Sequence, residues 1–140
     1  MLKAYDGVEL HYLGAIMNKL GLGDHFSRLV MKCVSTVRYR IKVNDDFSDL
    51  FEPSRGLRQG DPISSYLFVI CAEGLSALLN DAQQRGVFSG IQICPGAPSI
   101  SHLFFADDSV LLMEATGSEA EELQRILQIY EQCSGQCINH

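Results

Sequence analysis

Asp107 and Asp108 stand side by side between Leu103-Phe104-Phe105 and Val110-Leu111-Leu112, two short apolar runs of strand-forming composition. A strand, a tight turn and a second strand is the natural reading, with the acids at the tip of the hairpin. Successive side chains on a regular strand point to opposite faces, so the two carboxylates can serve one site only where the backbone turns between or beside them. Held close, they repel each other. A hard divalent cation relieves that repulsion, because Mg²⁺ accepts one or two carboxylates and keeps its other positions for water and phosphate oxygens, and Mn²⁺ favours the same donors. Taken alone, Asp-Asp is also ordinary turn composition, and a solvated structural turn explains it too.

A second stretch, Pro53-Ser54-Arg55-Gly56-Leu57-Arg58-Gln59-Gly60-Asp61-Pro62, is a loop opening onto a helix. Asp61 can cap that helix and Pro62 can be its first residue, where a missing N–H costs nothing. Gly60 lets a ligand approach the backbone, and exposed N–H groups at a helix start favour phosphate. A plain glycine-containing loop before a core helix is the alternative.

The remaining elements must hold these two stretches in place. Val8, Tyr12, Leu13, Ile16, Met17 and Leu20 recur at helical spacing behind a capping box formed by Asp6 and Glu9. Gly21 and Gly23 end that helix, and Asp24 caps a second one with Phe26, Leu29, Val30 and Cys33 on its apolar face. Arg38 to Asn44 alternates basic and apolar residues, the period of a half-exposed strand, and Asn44-Asp45-Asp46 turns into a second strand near Asp49 to Glu52. From Pro62 to about Gln84 runs a helix so apolar between Tyr66 and Ala72 that its middle should be buried on most sides. Gly86 closes it. A short strand from Gly90 to Cys94 and a turn at Pro95, Gly96 and Pro98 lead into the acidic hairpin. Beyond it, Ser118 and Glu121 form a capping box for a helix with Leu123, Ile126, Leu127 and Tyr130 on one face and Gly135 as its stop. Helices and strands intermixed in this order suggest an α+β fold with helices packed on one face of a small antiparallel sheet.

A length of 140 residues fits one domain. The net charge of −6 is unevenly spread: Arg28 to Arg58 holds seven basic residues against four acids, and Gln59 to His140 two against ten. One part could meet phosphates and another hold cations, although solvated surface explains both, and an acidic total argues against strong nucleic-acid binding by this chain alone. Five cysteines, odd in number and without a Cys-x-x-Cys pair, point to reduced thiols with no disulfide partner in an intracellular protein of the nucleus or cytoplasm. Cys133, Cys137 and His140 fit no common zinc spacing. No targeting segment is visible, and the continuous apolar run from Leu67 to Ala72 is too short to span a membrane.

Four ordered stretches resemble motifs of reverse transcriptases of the LINE-like, non-LTR retrotransposon type. They are Lys3-Ala4-Tyr5-Asp6, then Arg55-Gly56-Leu57-Arg58-Gln59-Gly60-Asp61-Pro62-Ile63-Ser64-Ser65-Tyr66-Leu67-Phe68, then Leu103-Phe104-Phe105-Ala106-Asp107-Asp108, and Ser134-Gly135-Gln136-Cys137-Ile138-Asn139. The resemblance covers essentially the whole chain. It implies a polymerase palm with part of the fingers, residues 1–140 forming a partial domain that adds deoxynucleotides to a DNA primer on an RNA template. It implies Asp107 as principal metal ligand with Asp108 beside it, both catalytic, and Mg²⁺ or Mn²⁺ as cofactor in a two-metal phosphoryl transfer. Tyr5 matches the aromatic residue that stacks beneath the incoming sugar and crowds a 2′ hydroxyl. Gln59 and Gly60 match positions that meet template and nucleotide, and Arg55 and Arg58 are phosphate-contact candidates, although solvation explains them as well.

The departures also carry information. In the family's first motif, Asp-x-x-Lys-Ala-aromatic-Asp, the leading aspartate is a metal ligand, and here it would fall immediately before Met1. Asp6 cannot replace it, since six residues of strand span about 20 Å. Leu2 and Gly7 stand where a small polar and a basic residue are usual, and His140 stands just before an expected lysine. The expectation is a chain that is inactive by itself. Rival readings are a maturase-like RNA-binding protein using Arg38, Arg40 and Lys42, and a decayed element without selected function. A palm-fold nucleotide cyclase is disfavoured by the absence of a Gly-Gly-Asp/Glu-Glu-Phe segment.

Overall fold

The computed structural model describes residues 4–138; Met1 to Lys3, Asn139 and His140, and with them parts of the first and last motifs and the third zinc candidate, lie outside the described residues. The order of elements is α1 (Leu10–Lys19), α2 (Asp24–Ser35), β1 (Lys42–Val43), β2 (Asp46–Phe47), α3 (Pro62–Gln84), β3 (His102–Phe105), β4 (Asp108–Leu111) and α4 (Gly117–Ser134). This is an α+β arrangement of helices with small antiparallel ribbons. The single sheet expected from the sequence is replaced by two separate two-stranded ribbons, β1-β2 and β3-β4. Among the described residues neither gains a third strand, and the Gly90 to Cys94 segment pairs through a bridge between Ile91 and Ile100.

α3 is the mast of the molecule, packed by α1, α4 and β3. Its first half joins Ala4, Val8, Leu13, Met17, Val30 and Leu57 in one core around Leu67, Phe68 and Cys71. Its second half joins Phe88, Ile126, Leu127 and Tyr130 in another around Leu75, Leu79 and Ala82. Burial pushes the Cys71 thiol up to about 12, so it is an inert apolar group. Gly74 makes the crossing with α1 possible: a Cβ there would run into the Tyr12 hydroxyl, which donates to the Cys71 carbonyl at 3.0 Å. By length and composition α3 could cross a membrane, yet here it is the core helix of the body, with nine buried residues. Burial is one-sided, however. Ile63, Tyr66 and Val69 form an outward stripe, Tyr66 being 73% exposed, because none of the described elements covers that side of the helix.

Other local expectations shift for identifiable reasons. Asp6 and Glu9 form no capping box; Asp6 lies in a turn, and Glu9 is the N-cap without a side-chain bond. Gly23, at φ 78°, precedes α2 in place of Asp24, and the inward face carries Ser27 and Val30 while Phe26, Leu29 and Cys33 point to solvent. The N-cap of α4 is Thr116, and the capping box expected from Ser118 and Glu121 does not form. Thr116 Oγ1 accepts from the Glu119 N–H at 3.3 Å. Glu119 does not reach back to its cap, because its buried carboxylate accepts from Ser89 N at 3.2 Å, Ser89 Oγ at 2.5 Å and Glu114 N at 3.1 Å. α3 begins and ends where expected, with Asp61 as cap, and α4 stops at Gly135, which takes φ 73°.

Candidate active site

The acidic hairpin has the geometry its sequence requires. β3 and β4 pair from His102↔Leu111 to Phe105↔Asp108, leaving Ala106 and Asp107 as a two-residue turn. Asp107 therefore occupies the turn and Asp108 opens β4, so the chain bends beside the acid pair. Ala106 carries the left-handed φ of 52° that permits so tight a turn. Both carboxylates are exposed. Cross-strand partners share a face, which puts Asp108 with Phe105, Leu103 and Val110 on the outer side, where Phe105 is 83% exposed. On the inner side Phe104 and Leu111 pack against the second core.

His102 ties the base of the hairpin to α3. Its Nε2 is 2.9 Å from Ser76 Oγ, its Nδ1 is 2.9 Å from Ser101 Oγ, and its ring lies 4.9 Å from that of Phe104. Burial lowers the imidazole below the ordinary histidine range, against a smaller upward pull from Glu73. Nothing in the sequence singles out His102. Its position at the start of a strand facing a serine on a core helix becomes meaningful only in three dimensions.

Tyr5 and the Arg55 to Gln59 part of the loop come together around the Ala4 to Val8 segment. Leu57 N donates to Tyr5 O at 2.8 Å and Gly56 N to Val8 O at 2.8 Å, which docks the loop on that segment. Gly56 is needed there: its φ is 94°, and a Cβ would lie 3.1 Å from Asp6 O. Tyr5 stacks on Phe68 of α3 with centroids 5.1 Å apart, and its hydroxyl is 3.4 Å from Ser65 Oγ. An open cleft of about 730 Å³ is bounded by Asp6, Arg40, Arg55, Arg58 and Gln59 along with Tyr39 and Phe51. Arg40, which the alternating pattern places on a strand face, thus joins the loop arginines.

Gly60 is exposed at φ 83°, with open space where a Cβ would stand. The helix-start N–H groups expected to favour phosphate are already engaged: Asp61 accepts from Ile63 N through Oδ1 at 3.1 Å and from Ser64 N through its carbonyl at 3.0 Å. The basic ribbon is also partly neutralised, Arg38 by Glu52 at 2.8 Å and Lys42 by Asp45 at 2.7 Å. Arg55 lies 4.0 Å from Glu9. Asp107 and Asp108 do not line the arginine cleft. Among the described residues no group of three or more His, Cys, Asp or Glu could hold a metal, and all five cysteines are free.

The sequence model of the family described as reverse transcriptase (RNA-dependent DNA polymerase) matches residues 1–138, and the chain belongs to that family. Its relatives include retrovirus-related Pol polyproteins of the type-1 retrotransposable element R2. That of Nasonia vitripennis is 31% identical over 124 residues, covering 89% of this chain and 11% of the polyprotein. That of Popillia japonica is 32% identical over 110 residues, covering 79% and 17%. An uncharacterised mitochondrial protein of Arabidopsis thaliana is 51% identical over 67 residues, 48% of this chain and 55% of that protein. The matched part of the chain thus spans about half of one relative and less than a fifth of the other two. Family and relatives together make this a partial reverse transcriptase domain of the non-LTR type.

Proposed function

We propose that residues 1–140 are the palm core, with part of the fingers, of an intracellular RNA-directed DNA polymerase from a non-LTR retrotransposon. In the whole protein this core would act on an RNA template, a DNA primer and deoxynucleotides. The observation that carries the reading is the Ala106-Asp107 turn, which presents Asp107 and Asp108 on a hairpin anchored to α3 within a chain matched to the family over residues 1–138.

The donors fit the cofactor in kind, since two exposed carboxylates are the hard oxygen ligands that Mg²⁺ or Mn²⁺ takes. Asp107 and Asp108 would hold it, and a bound pair of such ions supplies charge stabilisation to the attacking and leaving oxygens of phosphoryl transfer. Tyr5, braced on Phe68, offers a flat apolar surface to the sugar of an incoming nucleotide. Gln59 and Gly60 would meet the template strand and the incoming nucleotide, and the open space where a Cβ on Gly60 would stand allows close approach to its backbone. Arg55, Arg58 and Arg40 border a cleft wide enough for phosphates, where their guanidinium groups give orientation and charge neutralisation.

The family's first motif adds a third carboxylate that the 140-residue polypeptide does not contain, so this polypeptide by itself is expected not to extend a primer. Primer extension on an RNA template tests both statements. The polypeptide alone should give no product. A version preceded by the family's aspartate and upstream fingers should give product that Asp107→Asn abolishes. Product from the polypeptide alone overturns the inactivity, and extension by the longer version that survives Asp107→Asn overturns the site.

A further inference from the structure

Gln136 is a neutral polar residue only 1% exposed, and both ends of its amide are used. Its Oε1 accepts from the Tyr130 hydroxyl at 2.8 Å, and its Nε2 donates to the carbonyl of Ala4 at 3.3 Å, across 132 positions of sequence. The Ala4 carbonyl belongs to the peptide that joins Ala4 to Tyr5. Around it, Glu9 N donates to Ser134 O at 2.9 Å, and Gly7 approaches Gly135 so closely that a Cβ on Gly7 would lie 2.9 Å from the Gly135 carbonyl. The segment carrying Tyr5 is therefore gripped from two directions, by Gly56 and Leu57 of the loop and by the end of α4.

We infer that Gln136 is a positioning residue for Tyr5. Tyr130 holds the Gln136 amide in one orientation, Gln136 holds the Ala4 carbonyl, and the Tyr5 ring is thereby held against Phe68 at a fixed height. An amide suits this task because one side accepts while the other donates, whereas a carboxylate could only accept from both sides. A buried side chain with either partner removed loses a bond it cannot replace with water. On the function proposed above, the same hydrogen-bond chain sets how closely the ring crowds the sugar of a nucleotide. That last step rests on the Tyr5 assignment; the placement of Tyr5 does not.

The test is ¹⁹F NMR of the full chain carrying 3-fluorotyrosine, whose five tyrosine resonances are assigned by single Tyr→Phe changes. Gln136→Met should move and broaden the Tyr5 resonance while leaving those of Tyr39 and Tyr66, whose hydroxyls make no hydrogen bond to Gln136, Tyr130 or Ala4, in place. Tyr130→Phe cuts the network from its other end and should move the Tyr5 resonance in the same direction. It also keeps the ring, and so decides the matter if Gln136→Met does not fold. A Tyr5 resonance that stays at its wild-type position in either folded variant overturns the inference. Adding Mg²⁺ with a deoxynucleoside triphosphate to the version preceded by the family's aspartate and upstream fingers separates the two ideas. A silent Tyr5 resonance there, with the Gln136 effect present, leaves Gln136 as the positioning residue and removes Tyr5 from the nucleotide site.

Discussion

The two ribbons share a local design and differ in almost everything else. Each is an antiparallel pair closed by a two-residue turn with left-handed φ, at Asn44 and Asp45 in one and at Ala106 in the other. β1-β2 is exposed along its whole length, with Phe47 at 64%, and is braced by a Tyr39–Phe51 ring contact and surface ion pairs. β3-β4 plants Phe104 and Leu111 in the core and hydrogen-bonds His102 to α3. An isolated two-stranded hairpin is marginal in water, and surface ion pairs add little. The acid-bearing hairpin therefore owes its order to what lies beneath it, whereas among the described residues no core side chain comes from β1-β2.

The largest effect should come from the common foundation. Phe68→Ala removes a buried ring shared by α3 and the Tyr5 stack and should cost about 3–5 kcal/mol in urea unfolding, a large part of a domain's total stability. A loss below about 1 kcal/mol would show that α3 is not the mast described. Phe104→Ala sharpens the contrast between the ribbons: about 2 kcal/mol should be lost, with faster amide exchange confined to the 102–111 hairpin.

Ala106→Gly relieves a left-handed alanine and should raise stability by up to about 1 kcal/mol, read from the urea midpoint. Acid should act on the same hairpin. Because His102 has its folded-state affinity for protons lowered by burial, the unfolded chain binds more protons as pH falls through the ordinary histidine value of 6.5, so stability is lost on acidification and is full above it. His102→Gln should flatten that part of the stability profile. Smallest of all, Phe47→Ala on the basic ribbon should change stability by no more than about 0.5 kcal/mol. A larger loss would mean that the ribbon has an anchor after all.

Punctuation made much of the site legible in advance. Asp61-Pro62 marks the start of α3, Gly135 the end of α4, and two apolar runs around an acid pair mark the hairpin. These signals are local, arising from fixed φ, missing N–H groups and short side-chain caps, so a linear reading reaches them. Caps with competing partners were harder to read: Glu119 looks like any third-position acid until Ser89 and Glu114 are found offering it three N–H and O–H donors.

Which face of a helix is buried was decided by packing. Apolar residues lie on both sides of α2 and α3, and only the position of neighbouring elements leaves Phe26, Leu29, Tyr66 and Val69 outside while Ser27 and Ser64 go in. The sequence by itself determined the family, the acid pair and the turn that presents it, because these depend on residue identity over a few positions. Tertiary structure alone decided that His102 anchors the hairpin, that the arginines share a cleft with Asp6, and that Gln136 reaches Ala4. Those contacts join residues far apart in the chain, and their geometry exists only once the helices have packed.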